Sequence, residues 1–308
     1  MRVLMINDWG FIRGGAETHI SVLMDALRKR GIESDLYVPC QIPLAEKLNT
    51  FLPDIIHIHN WVYWTRNQDL IFKTSLPTVL SLHDYLIVCP RRMRLWPGHI
   101  CATPCDKSCT EPFVSIPNCH KVVFNHYSQA IFCAQGVDCD VIPHGINLER
   151  WPYGTGKRDG IGFVSVFQGA WWKGEMVARK IAHRLNVPIR IINGGSTPVQ
   201  VSDLMRSVKI LLYPAVYAET FGMVIAEAMA SGAVVIAYDV AGGQRALIRD
   251  GETGYLVEAR NELKLFEKTK EVLCMDNSSV GATARQMIEQ YYTAERMAMD
   301  WVKLYLSF

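Results

Sequence analysis

Glu219 and Glu227, with seven residues between them, lie in a run from Tyr213 to Gly232 that mixes apolar residues, glycines and two acids. The run reads as a strand ending at Tyr213-Pro214, a loop carrying Glu219, and a helix opening near Gly222. Were both acids helical, they would stand about 12 Å apart along the axis, on roughly the same side. Acid pairs that cleave a glycosidic bond stand about 5 to 9.5 Å apart, one on each side of it. A wider spread suits gripping hydroxyls at the two ends of a long ligand, such as a sugar and a ribose. The free amides of the helix's first turn, with a glycine beside them, make an anion site. The competing reading has Glu219 capping the helix and Glu227 as a solvated helical residue.

Further chemistry-bearing residues stand at other strand ends. Lys173 closes Gly169-Ala170-Trp171-Trp172-Lys173-Gly174 after a strand over 161–167. It is either a point charge for a phosphate or an ordinary lysine at a helix start. Gly14-Gly15-Ala16-Glu17 follows the first strand and opens the first helix, so the backbone there can approach a phosphate or an acceptor. The pattern is not the dinucleotide fingerprint G-x-G-x-x-G, which argues against an NAD enzyme. His83 ends a strand over 78–83, either as a polar group for a ligand or as a structural histidine. His57 and His59 alternate within 55–59 and should share a face, as two buried structural histidines rather than a metal site.

Cys89, Cys101, Cys105 and Cys109 lie in a Pro- and Gly-rich stretch with His99 and His120 nearby. A structural zinc, disulfides and free thiols are all open there, since the spacing is not C-x2-C. Arg91, Arg92, Arg94 and Trp96 in the same stretch suit an acceptor or a membrane surface, or are merely solvated.

The elements that must position these residues alternate almost from end to end. Strands are predicted at 2–7, 34–38, 55–59, 78–83, 122–125 and 141–143, and again at 161–167, 189–192, 210–213, 234–238 and 255–257. Helices are predicted at 17–30, 175–185, 222–230 and 263–274, and residues 282–308 are helical in character. Such alternation implies parallel sheets covered on both faces. The 308 residues suit two domains: 1–147, a linker 148–160 marked by Pro152, Gly154 and Gly156, and 161–290, with 291–308 packing across the junction. Ligand is expected at the carboxyl ends of the strands, in a cleft between the two domains.

Bulk composition excludes several classes. Hydrophobic residues make up 49% and charged residues 20%, as in a globular protein. No apolar run is long enough to span a bilayer, and the N-terminus reads as a strand rather than an export signal. The formal charge of +2 argues against a nucleic-acid-binding protein, although a modified base could still be an acceptor. Nine cysteines, an odd number, without an export signal point to a reducing cytoplasmic setting.

The run from Tyr213 to Gly232 resembles the signature of glycosyltransferase family 4, retaining enzymes of the GT-B fold. The strand 234–238, Gly242-Gly243 and the stretch 250–257 agree with it in order and spacing. The resemblance implies two facing Rossmann-like domains, with the nucleotide-diphosphate sugar held mainly by the C-terminal one. It implies that Glu219 contacts the donor sugar and that Phe221, Gly222 and Met223 present amides to the sugar and distal phosphate. Glu227 then holds the ribose hydroxyls, Lys173 meets the diphosphate, Gly14 and Gly15 face it, and His83 stands near the reacting sugar. The family usually has an arginine where this chain has Gln168, with Arg13 or Arg245 as replacement cations.

The implied activity is transfer of a hexose-type sugar, UDP- or GDP-linked, to an acceptor hydroxyl with retention. No metal cofactor is then required for catalysis. The acceptor is a saccharide, a lipid-linked saccharide or a small molecule, and the setting is cytoplasmic or peripheral at the inner face of the membrane. The missing arginine leaves a second reading, a sugar-nucleotide-binding subunit that acts through a partner.

Overall fold

The computed structural model describes residues 1–10, 14–39, 42–60, 71, 74–89, 95–96, 99–100, 119–166 and 170–308. The chain divides into two compact units, one of Met1–Gly145 with Ala294–Phe308 and the other of Ile146–Thr293.

In the first unit the strands are β1 (Arg2–Ile6), β2 (Glu33–Tyr37), β3 (Ile55–Ile58), β4 (Thr78–Ser81), β7 (His120–Val123) and β8 (Asp140–Val141); a short antiparallel pair, β5 (Leu95–Trp96) and β6 (His99–Ile100), intervenes. The six form one parallel sheet in the order β2-β1-β3-β4-β7-β8. The helices among the described residues are α1 (Gly15–Arg28), α2 (Leu44–Phe51) and α3 (His126–Cys133). Strands β1 and β3 are buried throughout apart from Arg2, and apolar on both faces apart from Arg2 and the buried His57, as suits parallel strands under helices. Ile20, Leu23, Met24 and Leu27 recur at helical spacing and form the buried stripe of α1.

The second unit repeats the plan with β9 (Ile161–Val164), β10 (Ile189–Ile192), β11 (Ile210–Tyr213), β12 (Val234–Asp239) and β13 (Tyr255–Glu258). Its parallel sheet runs β10-β9-β11-β12-β13. The helices α4 (Glu175–Leu185), α5 (Pro198–Ser207), α6 (Met223–Ser231), α7 (Gly243–Leu247), α8 (Glu262–Cys274) and α9 (Ser278–Tyr291) surround it. A capping box of Thr197 and Gln200, with Pro198 in the first turn, fixes the start of α5.

Residues 148–160 belong to this unit. Gly154 N donates to Ser231 O at 3.1 Å, and Arg285 donates to the carbonyls of Trp151 and Ala230, each at 2.7 Å. The helical tail expected over 282–308 is two helices, broken where Tyr292 and Thr293 leave α9. The second, α10 (Ala294–Tyr305), belongs to the first unit. Its buried residues Ala294, Met297, Ala298, Trp301 and Tyr305 join the same core as the stripe of α1.

Several strands stop earlier than the sequence suggests: β3 ends at Ile58, β4 at Ser81 and β9 at Val164. His59 and His83 therefore stand just past their strands, with His59 N still donating to Ile6 O of β1 at 2.9 Å. No helix among the described residues is long and apolar enough to cross a membrane.

Candidate active site

In the second unit, four side chains from three segments meet at one carboxylate oxygen. Lys173 Nζ lies 2.7 Å from Glu219 Oε1 and donates to Tyr213 Oη at 3.2 Å. The hydroxyls of Tyr213 and Tyr217 both donate to that same Oε1, and Lys173 also donates to Tyr217 Oη. The ammonium sits 4.8 Å from the centre of the Tyr217 ring, a second source of attraction. Burial favours the neutral acid at Glu219. The Lys173 charge and these three donors outweigh it and hold the carboxyl below its ordinary range. Burial and the neighbouring carboxylate push both tyrosine hydroxyls up, so they stay protonated donors. Among the described residues, every hydrogen bond to the Glu219 carboxylate falls on Oε1, which leaves Oε2 for a ligand hydroxyl.

Backbone packing fixes this arrangement. Lys173 lies on a 3-10 turn, Trp171–Lys173, closed by Gly174 in the left-handed region at φ 82°. A Cβ on Gly174 would come 2.5 Å from the Pro214 carbonyl oxygen, and Val216 N donates to Trp172 O at 3.0 Å. The turn is thereby locked to the loop after β11. From the other side, Gly243 N donates to Glu219 O at 2.7 Å, and a Cβ at Gly243 would sit 1.8 Å from Phe221 O. Only glycine fits there. Gln244, fully buried, accepts from Glu219 N at 3.2 Å and donates to Tyr217 O at 2.8 Å. Sequence reading missed Gln244, Tyr213 and Tyr217 as site residues. The polar residue directly after Gly242-Gly243 was the available signal for Gln244.

Glu219 precedes α6, which starts at Met223 after Gly222. Glu219 thus stands on the loop and the helix opens after Gly222, at φ 96°, as expected, so the spacing of two acids along one helix does not apply. Glu219 makes no helix cap either. Glu227 is not the solvated residue of the competing reading. It is 7% exposed on a helix buried nearly all round, and its carboxylate has no hydrogen-bond partner among the described residues. Burial alone raises it to about 8. A buried acid without a partner is costly unless a ligand completes it.

In the first unit, Gly14 precedes α1 with extended backbone, and its carbonyl accepts from Thr18 N and Oγ1. Gly15 is the first helical residue. Glu17 accepts from Asn7 Nδ2 at 3.3 Å and from Asn60 Nδ2 at 3.4 Å, and Asn60 donates to Asn7 Oδ1 at 2.6 Å. This network ties the ends of β1 and β3 to the start of α1. His83 Nε2 stands 3.1 Å from His59 Nδ1, and burial lowers His83 to about 3. His57 and His59 do share a face, with ring centres 4.0 Å apart.

Gln168 and Arg13 lie outside the described residues, as do Cys101, Cys105 and Cys109; of the thiol set, Cys89 is buried and free. Arg245 is engaged by Asp239 at 2.5 and 2.9 Å.

Residues 162–293, most of the second unit, match the family model described as Glycosyl transferases group 1. Over its whole length the chain superposes on sucrose-phosphate synthase of Thermosynechococcus elongatus, with a TM-score of 0.75, 18% identity, and coverage of 99% of this chain and 98% of that one. It also superposes on the Anabaena protein HepE in complex with UDP and glucose, with a TM-score of 0.73, 15% identity and full coverage of both chains. The fold is GT-B.

Among curated proteins, a stretch of 62 residues is 42% identical to a D-inositol 3-phosphate glycosyltransferase of Streptomyces scabiei, covering 20% of this chain and 14% of that protein. Another of 72 residues is 40% identical to a phosphatidyl-myo-inositol mannosyltransferase of Mycobacterium leprae, covering 23% and 19%. The alignments thus span less than a fifth of those relatives' own lengths.

Proposed function

We propose that the chain is a glycosyltransferase that moves a sugar from a nucleotide-diphosphate sugar to an acceptor hydroxyl, with the donor held by the second unit. The observation that carries the reading is the pairing of two unlike acids within one family-matched segment. Glu219 is kept ionised by Lys173 and two tyrosines, and Glu227 is buried, raised to about 8, and without a partner among the described residues. Glu219 takes a sugar hydroxyl on Oε2, and Glu227 takes the ribose hydroxyls. Phe221, Gly222 and Met223 offer amides to the sugar and distal phosphate, where the start of α6 favours negative charge.

Lys173 is held ready by Glu219 and turns its charge to the diphosphate as the nucleotide leaves, where negative charge grows. Transfer of a hexose with retention, on a front face where the departing phosphate oxygen takes the acceptor proton, fits a site whose acids grip hydroxyls. By the resemblance, Gln168 has the sequence position of a second cation, and Gly14 and Gly15 offer backbone to the phosphates. His83, neutral at physiological pH, serves as a hydrogen-bonding group rather than an acid or base. The acceptor is a saccharide, lipid-linked or small-molecule hydroxyl. The reaction runs in the cytoplasm or at the inner membrane surface.

The support is the local geometry together with relatives named as sugar transferases and a neighbour bound to UDP and glucose. The test is release of nucleoside diphosphate from a panel of UDP- and GDP-sugars with saccharide and lipid acceptors. Lys173→Ala should lower kcat by about a hundredfold or more, on the scale of one preorganised charge lost. Equal turnover in that variant would remove Lys173 from the reaction, and nucleotide binding without any release would favour a binding subunit. Adding Mg²⁺ or Mn²⁺ should leave kcat unchanged, because protein groups neutralise the leaving diphosphate.

A further inference from the structure

The carboxyl end of the first sheet gathers five imidazoles, and of these the donor chemistry proposed above calls on His83 alone. His19 comes from α1, His57 and His59 from β3 and its end, His83 from just past β4, and His144 from just past β8. The ring of His19 lies 4.0 Å from that of His144, 5.4 Å from His83 and 5.5 Å from His59. His19 is wholly buried, and neither of its ring nitrogens has a hydrogen-bond partner among the described residues. A neutral imidazole has one donor and one acceptor to satisfy, and each left unmade in the interior costs about 1 to 3 kcal/mol.

We propose that His19, His59 and His83 form a binding site for a divalent metal ion of the zinc class. Each offers one nitrogen, and the three nitrogens lie within 4.8 Å of one another. Two imidazoles on a tetrahedral zinc, with bonds of about 2.0 to 2.1 Å, hold their nitrogens about 3.3 Å apart. His59 Nδ1 and His83 Nε2 already stand at 3.1 Å, so closing the site needs mainly a small rotation of His19.

Burial, together with the neighbouring histidines at His19 and His59, keeps all three neutral, which is the form that ligates. A single proton shared between His59 and His83 would explain their contact but leaves His19 unsatisfied. His57 is not a ligand: Tyr305 Oη sits 2.6 Å from its Nδ1 and Ser81 Oγ 2.8 Å from its Nε2. Three protein ligands leave a fourth position for water or hydroxide. Ligation through His83 Nε2 leaves the Nδ1 side of that ring as a hydrogen-bonding group, so the site does not depend on the donor reading.

The experiment uses the full chain, stripped with chelator, exchanged into chelator-free buffer and titrated with Zn²⁺ alone by calorimetry, then with Co²⁺ by visible absorption. The expected result is one equivalent of Zn²⁺ and a Co²⁺ spectrum with visible bands but no thiolate charge-transfer band. His19→Leu should lose that equivalent, and His126→Ala, on an exposed histidine elsewhere in the same unit, should keep it. Zn²⁺ should raise the Tm of the wild type and not that of His19→Leu. In chelator, His19→Leu should melt at or above the wild type, because an unsatisfied polar ring has become apolar. Should His19→Leu fail to fold, His59→Gln takes its place. No bound Zn²⁺ in the wild type, or full binding in the ligand variants, overturns the site. So does a thiolate band that Cys105→Ser abolishes, which would put the metal in the cysteine stretch.

Discussion

Lys173 and the two tyrosines keep Glu219 charged in a half-buried place, whereas Glu227, one helix turn past the loop, has nothing among the described residues to keep it charged. The proton it holds up to about pH 8 has two measurable effects. Ribose hydroxyls donate best to an ionised carboxylate, so nucleoside diphosphate binding should expel that proton. Affinity should then rise with pH from about 7, above the phosphate's own ionisation, and level off beyond about 8. Calorimetry in buffers of different ionisation enthalpy checks this, and Glu227→Gln should bind more weakly with a flat profile. Loss of the charged acceptor in Glu227→Ala should cost about 1.5 to 3 kcal/mol of affinity. Unchanged affinity in both would take the ribose away from Glu227. In the empty protein the sign is opposite. The folded chain keeps a proton that the unfolded chain releases above its ordinary 4.5, so this residue lowers stability as pH rises from about 4.5 to about 8. Chemical denaturation of Glu227→Gln should show a shallower decline over that range.

The elements around the site act as a clamp on one loop. Gly243 and Gln244 hold it from α7, and the turn at Gly174 holds it from β9. Gln244→Leu keeps the volume but strands the amide of Glu219 and the carbonyl of Tyr217 in the interior. It should lower stability by about 2 to 4 kcal/mol and reduce turnover by releasing Glu219; an unchanged denaturation midpoint would refute the clamp. The alternating parallel strands, the helix after Gly222 and the special place of Glu219, Glu227 and Lys173 were all legible in the sequence. Apolar runs, glycine punctuation and local spacing carry that information. The tyrosine pair and Gln244 were not, because their importance arises from contacts across 25 or more residues. The histidines were visible singly, and His57 and His59 even as a pair on one face. Gathering His19, His83 and His144 beside them needed the crossovers between β1, β3, β4 and β8, which no local pattern encodes.

At the scale of the whole chain, α10 supplies the first unit with Trp301, fully buried 4.3 Å from the ring of His57, and with Tyr305, bonded to that ring. Trp301→Ala should destabilise the first unit by about 3 to 5 kcal/mol, while the second, a separate compact unit, keeps its stability. Two separated transitions in calorimetry, only the first displaced, would be the expected record; one shifted transition for both would show that they unfold together. The same helix has a consequence for synthesis. The first unit is written in two instalments, and the whole of the second is spoken between them. While the ribosome is still at work on residues 146–293, the groove meant for Trp301 stands open on an otherwise finished sheet. The later-made unit can therefore be complete before the earlier one, and the first half of the chain must wait, apolar surface uncovered, for its own last helix to emerge.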